Sequence, residues 1–496
     1  MTTQAENPGR PAANPSPAPA ANPLIRRRAF SWRAALESVQ VPVLAFLTAL
    51  AAGGLIIVLT DLVVLAEFRD TLARLAPGGW QRLILALVLA LAGAALYLWF
   101  GRVWARVRGA PPTARQLDLG RLAVLLLGVL VVYFLARAAG FAGALDAGWR
   151  AVGTAYGAML DGSVGSLSQI VAALQSGDPA ALRSAFYPML ESLVAATPYI
   201  FAGLAVAVGF RCGLFNIGVE GQLFVGAIFS VWVGYTFKGL PLIIHLPLAL
   251  LAGALGGALW ALPAAILKAK VGAHEVINTI MLNYIAFRLS DWLLNGPMMR
   301  PGNANPISPS IEPSAELPRF FADPIRLHLG FFIALGMAVF VWWFLFRTTL
   351  GFELRTVGAN PNAARYSGMS ITRNYLVAFA LSGALAGLAG ANEVLGVNHN
   401  LAMAFSAGYG FDSIALALLG KSHPFGVVLA ALLFGTLRSG GTRMQNIAKI
   451  PVDIIGVIQA LVIAFIAAPA IIRAIYRIGS AREGVETIFT RGWGKS

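Results

Sequence analysis

Residues 243–267 read IIHLPLALLAGALGGALWALPAAIL, and this stretch decides the fold class. It holds no Asp, Glu, Lys or Arg and runs straight into Lys268 and Lys270. A hydrocarbon core about 30 Å thick takes about 20 apolar residues at 1.5 Å each to cross, and only helices or closed barrels keep their backbone bonded inside it. Working outward, runs of suitable length occupy 41–65, 83–100, 119–139, 192–210, 215–235, 275–294, 329–346, 375–394 and 452–472. Together they predict ten crossings. The stretch 411–437 is apolar but broken by Lys421-Ser422-His423-Pro424, which predicts two short helices in a re-entrant hairpin or a tilted pair. The fold expected is all-α, a polytopic membrane helix bundle.

Composition agrees. Of 496 residues, 58% are hydrophobic and 12% charged, against about 25% charged in soluble domains. A net charge of +15 in a soluble chain would suggest nucleic acid, but here the basic residues sit in short clusters between apolar runs, as in cytoplasmic loops of membrane proteins. No nucleic-acid partner is expected; membrane lipid is. Cys212 stands alone and five scattered histidines form no ligand cluster, so disulfide and metal-site readings both fall. The terminal Gly494-Lys495-Ser496 resembles the end of a phosphate-binding loop, but Phe489 stands where its first Gly belongs. No cofactor or nucleotide site is expected on this chain, and no enzymatic chemistry.

Five segments are expected. Residues 1–33 form a Pro/Ala-rich disordered tail ending in a basic cluster, Arg26-Arg27-Arg28 and Arg33. Residues 41–139 hold the first helix and two more; 41–65 resembles a signal peptide but runs on long enough to be a retained helix. Residues 140–191 are expected outside, 192–472 form the main bundle, and 473–496 are a cytoplasmic tail. With Arg26 inside, alternation places Arg115, Arg211, Lys268, the Arg347 to Arg373 loop and Arg473 inside as well. Arg438, Arg443 and Lys449 come out external if 411–437 is a hairpin.

Four glycines crowd Gly209-Phe210-Arg211-Cys212-Gly213-Leu214-Phe215-Asn216-Ile217-Gly218-Val219-Glu220-Gly221-Gln222 around a carboxylate and two amides. Asn216, Glu220 and Gln222 are candidate pathway residues. The competing reading makes Glu220 a cap on local N–H groups near the cytoplasmic face, where exposure relieves the cost of its charge, and this reading is favoured. Asn278 and Asn283 lie about 140° apart on one helix, so one can face a conduit while the other bonds a neighbour. Asn392 and Glu393 are further pathway candidates. Gly383, Gly387 and Gly390 form a packing stripe, and Gly253 with Gly257 a comparable pair.

The strings 215–222 and 272–284 (GAHEVINTIMLNY) resemble the permease subunits of bacterial ABC importers for nucleosides and simple sugars, in the superfamily that includes ribose and branched-chain amino acid permeases. The resemblance covers 185–472, with 41–65 similar to the family's first helix; the helices 83–100 and 119–139 depart from it. It implies an ATP-driven importer of nucleosides or related small polar solutes in a bacterial inner membrane, with both termini cytoplasmic. The partners implied are an ATP-binding subunit, a second permease subunit and an extracytoplasmic solute-binding lipoprotein. Simple sugars or branched-chain amino acids are the alternative solutes, and a stand-alone secondary transporter or a non-transporting structural subunit the alternative classes. In the basic loop, Asn360 is a good N-cap, Pro361 suits the first helical position and Gly368 the left-handed residue beyond. By the resemblance this helix, 361–367, couples to the ATPase through Gly358, Asn360, Pro361, Ala363, Ala364, Arg365 and Gly368. Ala363 and Ala364 supply a small face and Arg365 meets an acidic rim.

Overall fold

The computed structural model describes residues 32–74 and 132–476, with a few positions between them. The expected tails, apart from 32–33 and 473–476, lie outside the described residues. So does the inserted pair 83–100 and 119–139, apart from scattered positions and residues 132–139.

Among the described residues, regular structure is helical, with two isolated bridges, Ile307 to Ala402 and Arg319 to His328. The chain forms α1 (Trp32–Thr60), α2 (Leu62–Ala73), α3 (Ala142–Ser163), α4 (Leu167–Ser176), α5 (Pro179–Arg211), α6 (Val219–Thr236), α7 (Leu242–Val271) and α8 (Glu275–Leu294). It continues through α9 (Gly330–Arg347), α10 (Thr349–Ala359), α11 (Pro361–Tyr366), α12 (Ile371–Asn392), α13 (Tyr409–Leu419), α14 (Pro424–Ala448), α15 (Val452–Ala467) and α16 (Pro469–Tyr476). Among the described residues, six segments are long and apolar enough to cross a membrane: Val43–Thr60, Pro179–Arg211, Leu242–Val271, Gly330–Arg347, Ile371–Asn398 and Pro424–Ala448.

Several expected runs change shape for local reasons. The first starts at Trp32 and stops at Thr60, because the Asp61 carboxylate accepts from the Val63 and Val64 N–H groups and starts α2 instead. The run 215–235 becomes helical only at Val219, after six residues of turn and extended chain that begin at Gly213 with φ 73°. The run 411–437 breaks where expected, with Lys421 and Ser422 at positive φ, but its second helix continues to Ala448 and is a full span rather than a short one. The last run breaks at Ala468, before Pro469, whose missing N–H and ring end α15. Helix α8 takes the expected bounds.

Helix α5 is the most enclosed of the spans. It carries Pro188 and Pro198, which membrane helices tolerate when neighbours re-satisfy the freed carbonyls. The two glycine sets meet each other: a side chain at Gly257 would strike the Gly383 carbonyl, and one at Gly387 the Gly253 carbonyl. Helices α7 and α12 thus cross backbone against backbone, the close approach that small residues permit. The stretch 140–191 is helical, and α3 lies along α1 and α14, with Tyr156 Oη donating to the Leu50 carbonyl. At one end of the bundle gather Arg211, Lys268, Arg347, Arg355 and Arg373; at the other lies the loop 295–329.

Candidate functional site

After α5 ends at Arg211, the chain turns at Gly213 and runs back into the bundle. Asn216 locks this return. Its Nδ2 donates to Ser382 Oγ at 2.9 Å and to Gln222 Oε1 at 3.0 Å, and its Oδ1 accepts from the Gly218 N–H at 2.9 Å. Gln222 Nε2 donates back to Asn216 Oδ1 at 3.2 Å, and Ser382 Oγ passes its own proton to the Ala205 carbonyl at 2.7 Å. Asn283, from α8, accepts the Gly221 N–H at 2.8 Å and donates to the Ile217 carbonyl at 3.0 Å. Asn216 and Asn283 thus tie the return to α12 and α8, while Gln222 braces Asn216 within the return itself.

Glu220 corrects the expectation of an exposed local cap. It is 2% exposed, and its carboxylate accepts from Ser406 Oγ and from the Gly410 N–H, each at 2.5 Å. Gly410 lies in the first turn of α13, so Glu220 caps a helix 190 residues further on. The other end of α13 lies at the basic end, where Arg211 Nε donates to the Ser422 carbonyl at 2.8 Å and Nη2 to the Lys421 carbonyl at 3.2 Å. Eleven helical residues separate the two levels, about 16 Å at 1.5 Å per residue. Glu220 therefore lies well inside the bundle from the basic end, because the return of the chain carries the start of α6 inward.

Asn392 is buried, with neither side-chain polar atom bonded among the described residues, and packs beside His328 and Gly330. Burial, with Arg319 nearby, pulls the His328 imidazole down to about 4, so it is neutral at ordinary pH. Asn278 likewise has a buried, unbonded Nδ2. Of the seven pathway candidates, Glu393 alone lines a cavity of about 470 Å³ between α5, α13, α14 and the outer loop. A one-turn π-helix, Glu393–Asn398, carries it there. The walls add Tyr187, Glu191, Arg326, Tyr409 and Arg438, none of which the sequence reading singled out as site residues. Arg326 Nε and Nη2 both donate to Glu191 Oε2, at 3.1 and 2.6 Å, and the Arg326 N–H donates to Oε1 at 3.1 Å. Arg438 lies 4.9 Å from the Tyr409 ring centre and donates to Tyr199 Oη at 3.2 Å, which itself donates to Asp412 at 2.9 Å. The signal was available: an arginine inside an apolar run is costly unless it faces a cavity or a partner.

At the basic end, the Asn360 side chain accepts from the Asn362 and Ala363 N–H groups at 3.0 and 3.2 Å, Pro361 opens the helix, and Gly368 has φ 79°. Two of the loop candidates need correction. Ala364 is fully buried against this chain's own Met369 and Ile371 region, so it is not a docking surface. A side chain at Gly358 would strike the Arg211 carbonyl, so that glycine exists to let α10 touch the turn at Gly213. The outward face belongs to Ala363, Arg365 and Tyr366, the last 96% exposed. Among the described residues no three of His, Cys, Asp and Glu converge as metal ligands.

Apolar helices closing around a polar-walled cavity, with a capped basic loop at one end, define a polytopic membrane transport protein. The chain belongs to the family described as branched-chain amino acid transport system / permease component, which it matches over residues 188–467. It is a membrane permease component and not an enzyme. It is 45% identical over 293 residues to the guanosine ABC transporter permease protein NupP of Bacillus subtilis, covering 58% of this chain and 83% of that one. A glucose ABC transporter permease protein of Haloferax volcanii is 38% identical, covering 60% and 80%. A nucleoside ABC transporter permease protein, NupB of Lactococcus lactis, is 34% identical, covering 61% and 85%. No solved structure matches.

Proposed function

We propose that this chain is one of two membrane-spanning subunits of an ATP-driven importer that moves nucleosides across a bacterial cytoplasmic membrane. The observation that carries the reading is the 45% identity to a guanosine permease across the bundle that encloses the cavity. The cavity volume falls in the range of small-molecule sites, and its walls set two tyrosine rings among charged and polar side chains, a lining suited to a polar solute. The basic end faces the cytoplasm, and there α11 presents Ala363, Arg365 and Tyr366 to a separate ATPase subunit, which binds the ATP. A second permease subunit completes the translocation unit, and an extracytoplasmic solute-binding lipoprotein delivers solute to the opposite end. Alternating access then exposes the cavity first outward and then inward.

The test is purification of the tagged chain in mild detergent, identification of its partners, and ATPase assay of the reconstituted complex with guanosine, glucose or leucine. Recovery of an ATPase and a second permease, with hydrolysis stimulated by guanosine, is expected. Stimulation by glucose alone would favour the sugar reading that the Haloferax relative supports. A chain recovered without any ATPase would overturn the proposal.

A further inference from the structure

The charged groups of the cavity are not equally occupied. Glu191 and Arg326 close on each other through three hydrogen bonds. Glu393 is different. The residue is 6% exposed, it lines the cavity, and no hydrogen bond or ion pair reaches its carboxylate among the described residues. Its oxygens open onto the cavity, with Arg438 and Arg326 as the opposite charges that act on it, so its acceptor sites are free for a ligand's donors. Arg438 complements it: one donor goes to Tyr199, leaving the rest of its fork to the cavity it lines. Tyr187 and Tyr409 add aromatic wall.

We infer that Glu393 selects the base of the transported nucleoside, accepting hydrogen bonds from the ring N–H and the 2-amino group of a guanine-type base, while Arg438 donates to that base's carbonyl edge. The inference rests on the nucleoside reading above. A carboxylate is acceptor-only, with two oxygens side by side, and guanine offers two adjacent donors to match it. Guanine also presents the O6 and N7 acceptors that a guanidinium fork grips. Adenine carries a ring nitrogen lone pair where guanine carries N–H, so it sets lone pair against lone pair. Inosine keeps the ring N–H and lacks the amino group, which leaves one oxygen unbonded. Sites built to bond a polar group reject analogues lacking it far better than apolar pockets reject size changes.

The experiment measures uptake of radiolabelled guanosine, inosine and adenosine by the complete reconstituted complex, with the same solute-binding protein present throughout. Any change in ranking between variants then arises in the permease. The parent is expected to rank guanosine above inosine above adenosine. Glu393→Gln offers an acceptor beside a donor, the pattern that suits adenine, and should lower the guanosine-to-adenosine ratio about tenfold or more. Glu393→Asp keeps the acceptor pair and should lower uptake while preserving the ranking, which guards against a Gln variant that fails to assemble. An unchanged ratio in Glu393→Gln, or a lost ranking in Glu393→Asp, overturns the assignment of Glu393 alone. A parent complex that takes up none of the three overturns the nucleoside reading and this inference with it.

Discussion

Two donors converge on Glu220, the Ser406 hydroxyl and the Gly410 N–H, and they set what each substitution does. In Glu220→Gln the amide oxygen still accepts from Gly410, and the amide nitrogen donates to a Ser406 hydroxyl that turns to receive it. The loss is about 1 kcal/mol, including the charge removed from a helix N-terminus. Glu220→Leu strands the buried Gly410 N–H and costs about 1–3 kcal/mol. Thermal melting of the detergent-purified protein should show a small fall for Gln and a large one for Leu, with transport reduced in the same order. Abolished uptake in Glu220→Gln at unchanged melting temperature would make Glu220 a pathway residue instead. The residue type and its first-turn position were legible in the sequence. Its depth and its partner were not, because both depend on how 213–218 folds back and on a contact 190 residues away.

Element by element, legibility follows where the deciding chemistry is local. The α11 cap, its Pro361 and its Gly368 are all set by neighbours within a few residues, and the sequence names them. Which face of α11 looks outward is a tertiary matter: Ala364 turns toward its own chain, and Tyr366 stands exposed. Tyr366→Ala should weaken capture of the ATPase about tenfold or more, as loss of an aromatic anchor does at interfaces. Gly368→Val forces a β-branched residue into the left-handed region, a strain of about 1–3 kcal/mol, in a loop with nothing within 4 Å of the new side chain. Both variants should insert normally and lose solute-stimulated ATP hydrolysis. Pull-down and ATPase assays check this, and parental rates in both would reduce α11 to a connector.

Across the whole molecule, the cluster of Arg211, Lys268, Arg347, Arg355 and Arg373 at one end makes a topology prediction: reporters fused after Lys270 and Arg373 should lie in the cytoplasm and one near Ser310 outside. An external signal from Arg373 would defeat the placement of the ATPase at that end. The helical class was readable from apolar runs alone, and α8 came out to the residue, since Glu275 and Asn295 bound it in sequence. The cavity was not readable, because its walls come from α5, α13, α14, the π-turn and the outer loop, which only packing brings together. Arg211 ties the chain just beyond its last residue and Glu220 binds its first turn, and these two side chains stand nine positions apart on a single bend of the backbone. A rod held at both ends by one bracket is coupled to it, so a displacement of the bend at 211–220 is expected to carry α13, and with it Tyr409 at the cavity wall, in the same direction.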